Sequence, residues 1–308
     1  MSPARIYQSR EVVLQEIRRG NVCAILVEGE EQGSDASLLK YILRSTTSEV
    51  GFFGRDGRAR VADDLREMVI QLPIESVFAI LDRDFEDSPI VDQCFTPNYR
   101  GHRFIWRRFE IENYLLEPAW IAEAIGEFYA LQPDRISGFL RSAGEIEQFL
   151  LQWAKILSPQ AAGNAFIADV TKQIERKKLS VAGRSYFGEI FERDSDYIKS
   201  QLLAHYSVYA NLAEDILSAN AIAQRYEHHL ESTILSTTSL AMAHQVISGK
   251  LLLKALYHQL SDQEKPRREY IISKLATLAS KSVPEDIRFL IQDRILPRWR
   301  EARRLAQP

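Results

Sequence analysis

The stretch that decides the fold is residues 77–84, VFAILDRD, in which five apolar residues lead into Asp82 and Asp84. An apolar run of this length is typical of a strand buried on both faces of a parallel sheet. Residues 24–29, AILVEG, repeat the arrangement, because Glu28 follows a second apolar run. Ligands of open α/β sheets bind beyond the carboxyl ends of the strands. The sequence therefore predicts that the three carboxylates face one crevice.

Carboxylates that converge in this way repel one another unless a cation lies between them, and all-oxygen ligands favour Mg²⁺ or Mn²⁺. Each group also has an ordinary explanation when taken singly. A Glu-Gly pair ends many strands, and aspartates commonly serve turns. The combination of Glu28 with Asp82 and Asp84, each behind its own strand, predicts a divalent-metal site. It indicates a metal-dependent enzyme that acts on phosphates.

A third motif is RRFEIENYLL at residues 107–116. Taken with Glu28-Gly29 and the Asp-Arg-Asp at 82–84, it resembles the Toprim domain of topoisomerases, primases and OLD-family nucleases. The resemblance covers roughly residues 20–120 and implies an α/β Toprim domain, a mostly parallel sheet with flanking helices, over residues 1–120. Apolar runs at 22–28, 50–53 and 77–81, alternating with helical patterns at 35–44 and 61–72, independently predict a parallel sheet.

The same resemblance implies the roles of the site residues. Asp82 and Asp84 would hold Mg²⁺ or Mn²⁺, Glu28 would ligate metal or act as general acid/base, and Glu112 would support a second ion. Two ions about 3.5–4 Å apart would stabilise the attacking and leaving oxygens of phosphodiester hydrolysis. OLD-like nucleases also use a lysine outside the acidic cluster. Lys250, at a predicted helix start that favours phosphate, is the candidate, with an exposed surface lysine as the alternative.

Two further positions stay open at this stage. Gly29 and Asp35 are separated by five residues, a loop three residues longer than the usual Toprim spacing. Asp35 is therefore either a metal-site residue or a helix cap. The GRDG turn at 54–57 either brings Arg55 to a phosphate or is a plain strand-to-helix turn.

From about residue 120, apolar residues recur at three- and four-residue spacing, which predicts an all-α domain over residues 121–308 for partner, dimer or nucleic-acid binding. Pro159 and Gly163 separate two of its segments, 144–157 and 163–178. The arginine-rich end either binds RNA or a partner or is a solvated amphipathic helix. Its arginines are Arg288, Arg294, Arg298, Arg300, Arg303 and Arg304. The histidines at 228, 229, 244 and 258 lack metal-ligand spacing and are predicted to lie at the surface.

Composition limits the class of protein. The 308 residues are 45% hydrophobic and 26% charged, which is typical of a globular chain. No apolar run approaches the ~20 residues of a membrane span, and no signal peptide is recognisable, so we expect a cytoplasmic protein. Cys23 and Cys94 are too few for a disulfide framework or a zinc site.

Charge is distributed unevenly along the chain. Residues 1–125 hold 15 Lys and Arg against 21 Asp and Glu, a net of −6, which leaves 24 against 21, a net of +3, for residues 126–308. An acidic catalytic half beside a mildly basic half is typical of a metal nuclease with a nucleic-acid or partner surface.

Chains of this size with a helical C-terminal half resemble the Toprim effector subunit of the PARIS anti-phage defence system. That resemblance implies an ABC-type ATPase that restrains the nuclease in trans, a homodimer once it is released, and cleavage of host tRNA. RNA is favoured over DNA on this ground alone. Two alternatives stay open: an OLD-type DNA nuclease or nickase, and a catalytically silent Toprim module used for regulatory binding.

Overall fold

The computed structural model describes residues 10–20, 22–29, 34–44, 49–72, 75–130, 140–176, 194–206, 217–260 and 266–305. The chain forms two compact units. The first combines Met1–Leu115 with Arg268–Pro308, and the second is Leu116–Arg267.

Within the described ranges, a sheet of four parallel strands forms the centre of the first unit. In chain order the strands are β1 (Cys23–Glu28), β2 (Val50–Arg55), β3 (Val77–Leu81) and β4 (Arg103–Ile105). Their order across the sheet is β2-β1-β3-β4, so β1 and β3 are the central strands. Both are buried along nearly their whole length, which explains their unbroken apolar runs. Parallel pairing brings the carboxyl ends of all four strands to one edge.

Helices alternate with the strands along the chain. These are α1 (Arg10–Gly20), α2 (Ser34–Leu43), α3 (Gly57–Gln71) and α4 (Ser88–Cys94), and a 3₁₀ helix (Ile111–Leu115) follows β4. The α/β class with a parallel sheet, predicted from the sequence, is confirmed. One boundary matters for the site: the predicted helix begins at residue 61, whereas α3 begins at Gly57. The difference adds a full turn at the edge where the strands end.

The described residues of the second unit form helices and the turns between them, and no strand. Its helices are α5 (Pro118–Phe128), α6 (Ala143–Arg176), α7 (Ser195–Tyr206), α8 (Ala219–Ser236), α9 (Leu240–Ala243) and α10 (Gly249–Leu260). Phe166 of α6, Ile198 and Leu202 of α7 and Tyr226 of α8 belong to one buried apolar cluster. The surface prediction for the histidines was wrong at His244, which is buried.

The predicted break at Pro159 is corrected by the structure, because α6 runs through it as a single helix. Proline removes one backbone donor from a helix and kinks it rather than necessarily ending it. The neighbouring Ser158 donates its hydroxyl to the carbonyl of Ala154 at 2.9 Å. Buried residues continue on both sides, at Leu157 and Ala162. Burial of the apolar face of α6 therefore stabilises a continuous helix despite the helix-breaking tendency of Pro159.

The chain returns to the first unit through its last helices, α11 (Pro266–Lys281), α12 (Glu285–Arg288), a π-helical segment (Phe289–Ile295) and α13 (Leu296–Leu305). This corrects the prediction of one helical domain over residues 121–308. An amphipathic pattern identifies a helix and its apolar face, but it does not name the surface on which that face packs. Here Phe289 stacks on Phe95, with ring centroids 5.7 Å apart. Tyr114 donates its hydroxyl to Asp286 at 3.1 Å.

The arginine-rich end contributes to the same packing. Arg294 donates to the carbonyls of Pro97 and Tyr99 at 2.9 and 3.0 Å, and Arg300 donates to Glu49 at 3.0 Å. These side chains hold the C-terminal helices against the sheet unit. Of the helices in the described part of the chain, none combines the length and the apolarity needed to cross a membrane.

Candidate functional site

Glu28 and the Asp82–Asp84 turn lie together at the carboxyl edge of the sheet. Glu28 is the last residue of β1, and Asp82 follows the last residue of the neighbouring β3. The backbone N–H of Asp82 donates to Oε1 of Glu28 at 3.2 Å. Asp84 adopts a left-handed backbone conformation, with φ of 46°. The convergence of these acidic residues follows from two adjacent parallel strands that each end in a carboxylate.

A guanidinium group lies among these carboxylates. Arg58, in the first turn of α3, places Nε 3.3 Å from Oε1 of Glu28 and Nη1 2.6 Å from Oε1 of Glu86. Its Nη2 lies 3.6 Å from Oδ2 of Asp84 and also donates to the carbonyl of Asp82. One arginine thus contacts three carboxylates and the backbone of the turn.

Burial and charge perturb the two central groups in opposite ways. Desolvation, reinforced by the nearby charge of Asp84, raises the pKa of Glu28 from 4.5 to about 7, although Arg58 and the N–H of Asp82 counteract part of the shift. Burial alone would lower the pKa of Arg58, yet the charges of Glu28, Asp84 and Glu86 raise it above its ordinary value. Arg58 is therefore a permanent cation. Glu28 is a carboxyl group that takes up or releases a proton near neutral pH.

Asp35 also lies at this edge, despite its longer loop. Gly29 has φ of +91°, and a Cβ added there would lie 3.3 Å from both Cγ and Oδ2 of Asp35. The carboxyl group of Asp35, in the first turn of α2, is buried against the chain directly after Glu28. The structure thus places Asp35 beside Glu28 and Gly29. Whether Asp35 is a metal-site residue or a helix cap stays a prediction.

The segment that carries Glu112 is fixed to the Asp82–Asp84 turn. The backbone N–H groups of Arg83 and Asp84 both donate to the carbonyl of Phe109, at 2.9 and 3.3 Å. The Arg83 side chain donates to the carbonyl of Arg107 at 2.9 Å. Glu112 itself is buried in the 3₁₀ helix. These contacts place the motif at residues 107–116 beside the Asp-Arg-Asp turn.

The donor set has the right chemistry for a hard cation, because carboxylate oxygens are what Mg²⁺ and Mn²⁺ prefer. In the part of the chain that the structure describes, however, no three His, Cys, Asp or Glu side chains converge closely enough to hold one ion. Among the described residues, the guanidinium of Arg58 is a positive charge in contact with Glu28, Asp84 and Glu86. The metal-binding roles of Glu28, Asp82, Asp84 and Glu112 stay predictions.

Two other candidates differ from the acidic residues. Lys250 is exposed in the first turn of α10, which belongs to the second unit, and its proposed role stays a prediction. Arg55 is buried and pairs with Asp64, with Nε 2.6 Å from Oδ2. The suggested phosphate contact by Arg55 is therefore corrected, because its guanidinium is buried and forms an ion pair with Asp64. The plain-turn alternative describes residues 54–57 better.

Sequence reasoning missed Arg58 and Glu86. The available signal for Arg58 was its position, because residues that follow β2 reach the same edge as Glu28 if β2 lies next to β1. Strand order cannot be read from apolar runs alone.

Comparison of the chain with protein-family models gives no match, and neither does comparison with curated protein sequences.

Proposed function

We propose that the first unit is a Toprim-type α/β nuclease domain that hydrolyses phosphodiester bonds with Mg²⁺ or Mn²⁺. The observation that carries the proposal is the hydrogen bond from the N–H of Asp82 to Glu28, because it joins two carboxylate-bearing strand ends at one edge. The pKa of about 7 for Glu28 supports it further, since a group that transfers protons in catalysis works best near the ambient pH.

Each residue of the edge has a proposed task. Asp82 and Asp84 would hold the cation, Glu28 would either ligate it or act as general acid/base, and Glu112 would support a second ion. A bound divalent cation would supply Lewis-acid stabilisation of the phosphate charge and a more acidic water molecule. In the acid/base role, Glu28 would take up or release a proton at its carboxylate. Asp35 is a further carboxyl group close to this site.

The wider assignment rests on the sequence. The resemblance to OLD-like Toprim nucleases, and within them to the PARIS effector subunit, supports a role in anti-phage defence by cleavage of host tRNA. On the same ground we propose a cytoplasmic enzyme, restrained by an ABC-type ATPase in trans and active as a homodimer, with Lys250 neutralising charge in the transition state. The mildly basic composition of residues 126–308 is consistent with a nucleic-acid partner.

A cleavage assay tests the reaction. Purified protein is incubated with total tRNA and with plasmid DNA, with Mg²⁺ and with EDTA. We expect Mg²⁺-dependent cleavage of tRNA that Asp82→Ala or Asp84→Ala abolishes and that Glu28→Gln lowers by roughly 10²–10⁴-fold. Asp63→Ala is the matched control, because Asp63 is an exposed acidic residue on α3. Mg²⁺ should raise the melting temperature of the wild type and of this control, but not of the Asp82 variant.

The outcome also separates the competing functions. Cleavage of plasmid but not tRNA would indicate the DNA nuclease, and no cleavage of either would contradict the proposal. One observation favours the catalytically silent module, namely that Arg58 already contacts three carboxylates of the acidic edge, which comprises Glu28, Asp82, Asp84 and Glu86. That reading would replace ours if Glu28→Gln protected cells from phage as well as the wild type does while neither protein cleaved nucleic acid.

A further inference from the structure

Arg58 has the position that a bound cation would need. Its guanidinium contacts carboxylate oxygens of Glu28, Asp84 and Glu86 at 3.3, 3.6 and 2.6 Å. Its side chain is 28% exposed, so the group is enclosed by the acidic edge on one side and open to solvent on the other. It projects from the first turn of a helix of 15 residues, whose N-terminal end adds further positive potential.

The surrounding charges explain why the group is there. Three carboxylates around one small volume repel one another, and the repulsion raises the free energy of any state in which all of them are ionised. The guanidinium offsets this repulsion without an external ion. It also donates to the carbonyl of Asp82, so it holds the backbone of the turn as well as the side chains.

A divalent cation held by Glu28, Asp82 and Asp84 would share two of its ligands, Glu28 and Asp84, with Arg58. Mg²⁺ binds carboxylate oxygens at about 2.0–2.1 Å, far closer than the present separations between the guanidinium and Glu28 or Asp84. Drawing those oxygens onto one ion leaves no room for the guanidinium between them. The two cations would also repel each other at such short range. Metal binding at this edge therefore requires Arg58 to move away.

We propose that Arg58 is an internal counterion of the acidic edge, and that a divalent cation must displace it from Glu28 and Asp84. The inference rests on the proposed metal site and adds to it a residue that sets metal affinity. Glu86 is the partner best placed to keep the displaced guanidinium, because it makes the shortest of the three carboxylate contacts. Each metal-binding event would therefore include the loss of the contacts from Arg58 to Glu28 and Asp84.

The test is the affinity of the full-length protein for Mn²⁺, measured by calorimetry and by the spectroscopic signal of free Mn²⁺. We expect Arg58→Ala to bind Mn²⁺ about tenfold more tightly or better, because a competing positive charge has been removed. Arg66→Ala is the matched control. It removes the same charge from α3 at a residue that is 72% exposed and pairs with Asp63, and its affinity should equal that of the wild type.

Stability without metal gives a second measurement. In EDTA, Arg58→Ala should melt below the wild type, and Mn²⁺ should recover more stability in the variant than in the wild type. Arg58→Lys keeps the charge but lacks the planar group that reaches several oxygens. Its Mn²⁺ affinity should therefore lie between those of the wild type and Arg58→Ala. If Arg58→Ala does not fold, the lysine variant carries the comparison.

Unchanged or weaker Mn²⁺ binding by the Arg58 variants would overturn the inference, since Arg58 would then support the site rather than compete for it. The outcome is separable from that of the proposed function. Tighter binding by Arg58→Ala in a protein that cleaves no nucleic acid would sustain the counterion and refute the nuclease. Metal-dependent cleavage with unchanged affinity would do the reverse. Absence of Mn²⁺ binding in all four proteins would contradict both.

Discussion

At the scale of single residues, the acidic edge depends on backbone geometry as much as on charge. Gly29 and Asp84, which follow the two central strands, both have positive φ, at 91° and 46°. Left-handed conformations turn the chain sharply, and only glycine and, less readily, aspartate or asparagine adopt them at low cost. The turns direct the chain away from the sheet directly after Glu28 and Asp82. The site therefore depends on a glycine that carries no chemistry of its own.

Gly29→Ala should lower the free energy of unfolding by about 2–3 kcal/mol, through backbone strain and crowding of Asp35. Gly57→Ala is the comparison, because Gly57 also has positive φ, at 82°, but a Cβ there meets no atom within 4 Å. It should cost only the strain, about 1–2 kcal/mol. Urea unfolding in EDTA measures both. Equal losses would show that crowding of Asp35 by the methyl group added at residue 29 does not lower the free energy of unfolding.

The raised pKa of Glu28 predicts a pH dependence of stability. The pKa is 4.5 ordinarily and about 7 in the folded protein, so the folded state binds this proton more tightly than the unfolded state does. The resulting stabilisation is fully present below pH 4.5 and is lost as the pH rises to about 7. Glu28→Gln cannot titrate and lacks this loss.

Urea unfolding in EDTA from pH 4.5 to pH 8 measures the effect. The stability of the wild type relative to Glu28→Gln should fall by on the order of 2 kcal/mol across that window. Asp63→Asn, at an exposed position of α3, should follow the wild type. A constant difference between wild type and Glu28→Gln would mean that burial and Asp84 do not perturb this carboxyl group.

The residues that sequence predicts well are those whose position follows from a single strand. Glu28 and Asp82 stand at the ends of apolar runs, and parallel pairing alone brings such ends to one edge. The location of Arg58 at this edge depends on two facts that local sequence patterns do not show. The first is that β2 lies next to β1, and the second is that α3 begins four residues before its apolar periodicity becomes clear. Asp35 stayed open because loop length, not residue type, decides where it lies.

At the scale of elements, α13 shows how an amphipathic helix acquires its partner. Arg298 is buried, and it donates to Glu75 at 2.9 Å and to the carbonyls of Gly101 and Arg100 at 2.7 and 3.0 Å. Its guanidinium also lies 5.0 Å from the ring centroid of Phe78 in β3. The sequence shows only an arginine in a basic stretch. The contacts make it a structural residue of the sheet unit.

Arg298→Ala should lower the free energy of unfolding by about 3–5 kcal/mol, the range for removing one partner of a buried ion pair. Arg298→Lys should recover only part of the loss, because a lysine cannot reach several acceptors in one plane. Arg304→Ala, on an exposed position of the same helix, should change stability by less than about 0.5 kcal/mol. Thermal and urea unfolding measure all three. If Arg298→Ala lowered the free energy of unfolding no more than Arg304→Ala does, Arg298 would behave as a solvated surface residue.

At the scale of the whole molecule, the first unit is assembled from both ends of the chain, since the path leaves it after Leu115 and re-enters it at Arg268. The α/β class followed from the alternation of strand and helix patterns, which is a local property. The return of the last helices did not, because it depends on contacts between residues far apart in sequence. Arg107 and Asp286, for example, lie 3.1 Å apart across that distance.

This assembly predicts the effect of shortening the chain. A protein that ends at residue 267 loses the partners of Phe95, Tyr114 and Glu75 in the first unit. We expect faster amide exchange in β1 and β3 than in the full-length protein, because exchange reports local opening of these strands. If the arginine-rich end were only a partner-binding surface, the strands would keep their protection.

Adding the missing segment as a separate peptide provides the control. A peptide of residues 266–308 should restore slow exchange in β1 and β3 of the shortened protein in a concentration-dependent manner, since binding to the folded form stabilises it by mass action. The same peptide with Arg298→Ala should restore less, because it cannot satisfy Glu75 and the two carbonyls. Protection of the two strands in the shortened protein alone, at the level of the full-length chain, would contradict the assignment of these helices to the sheet unit.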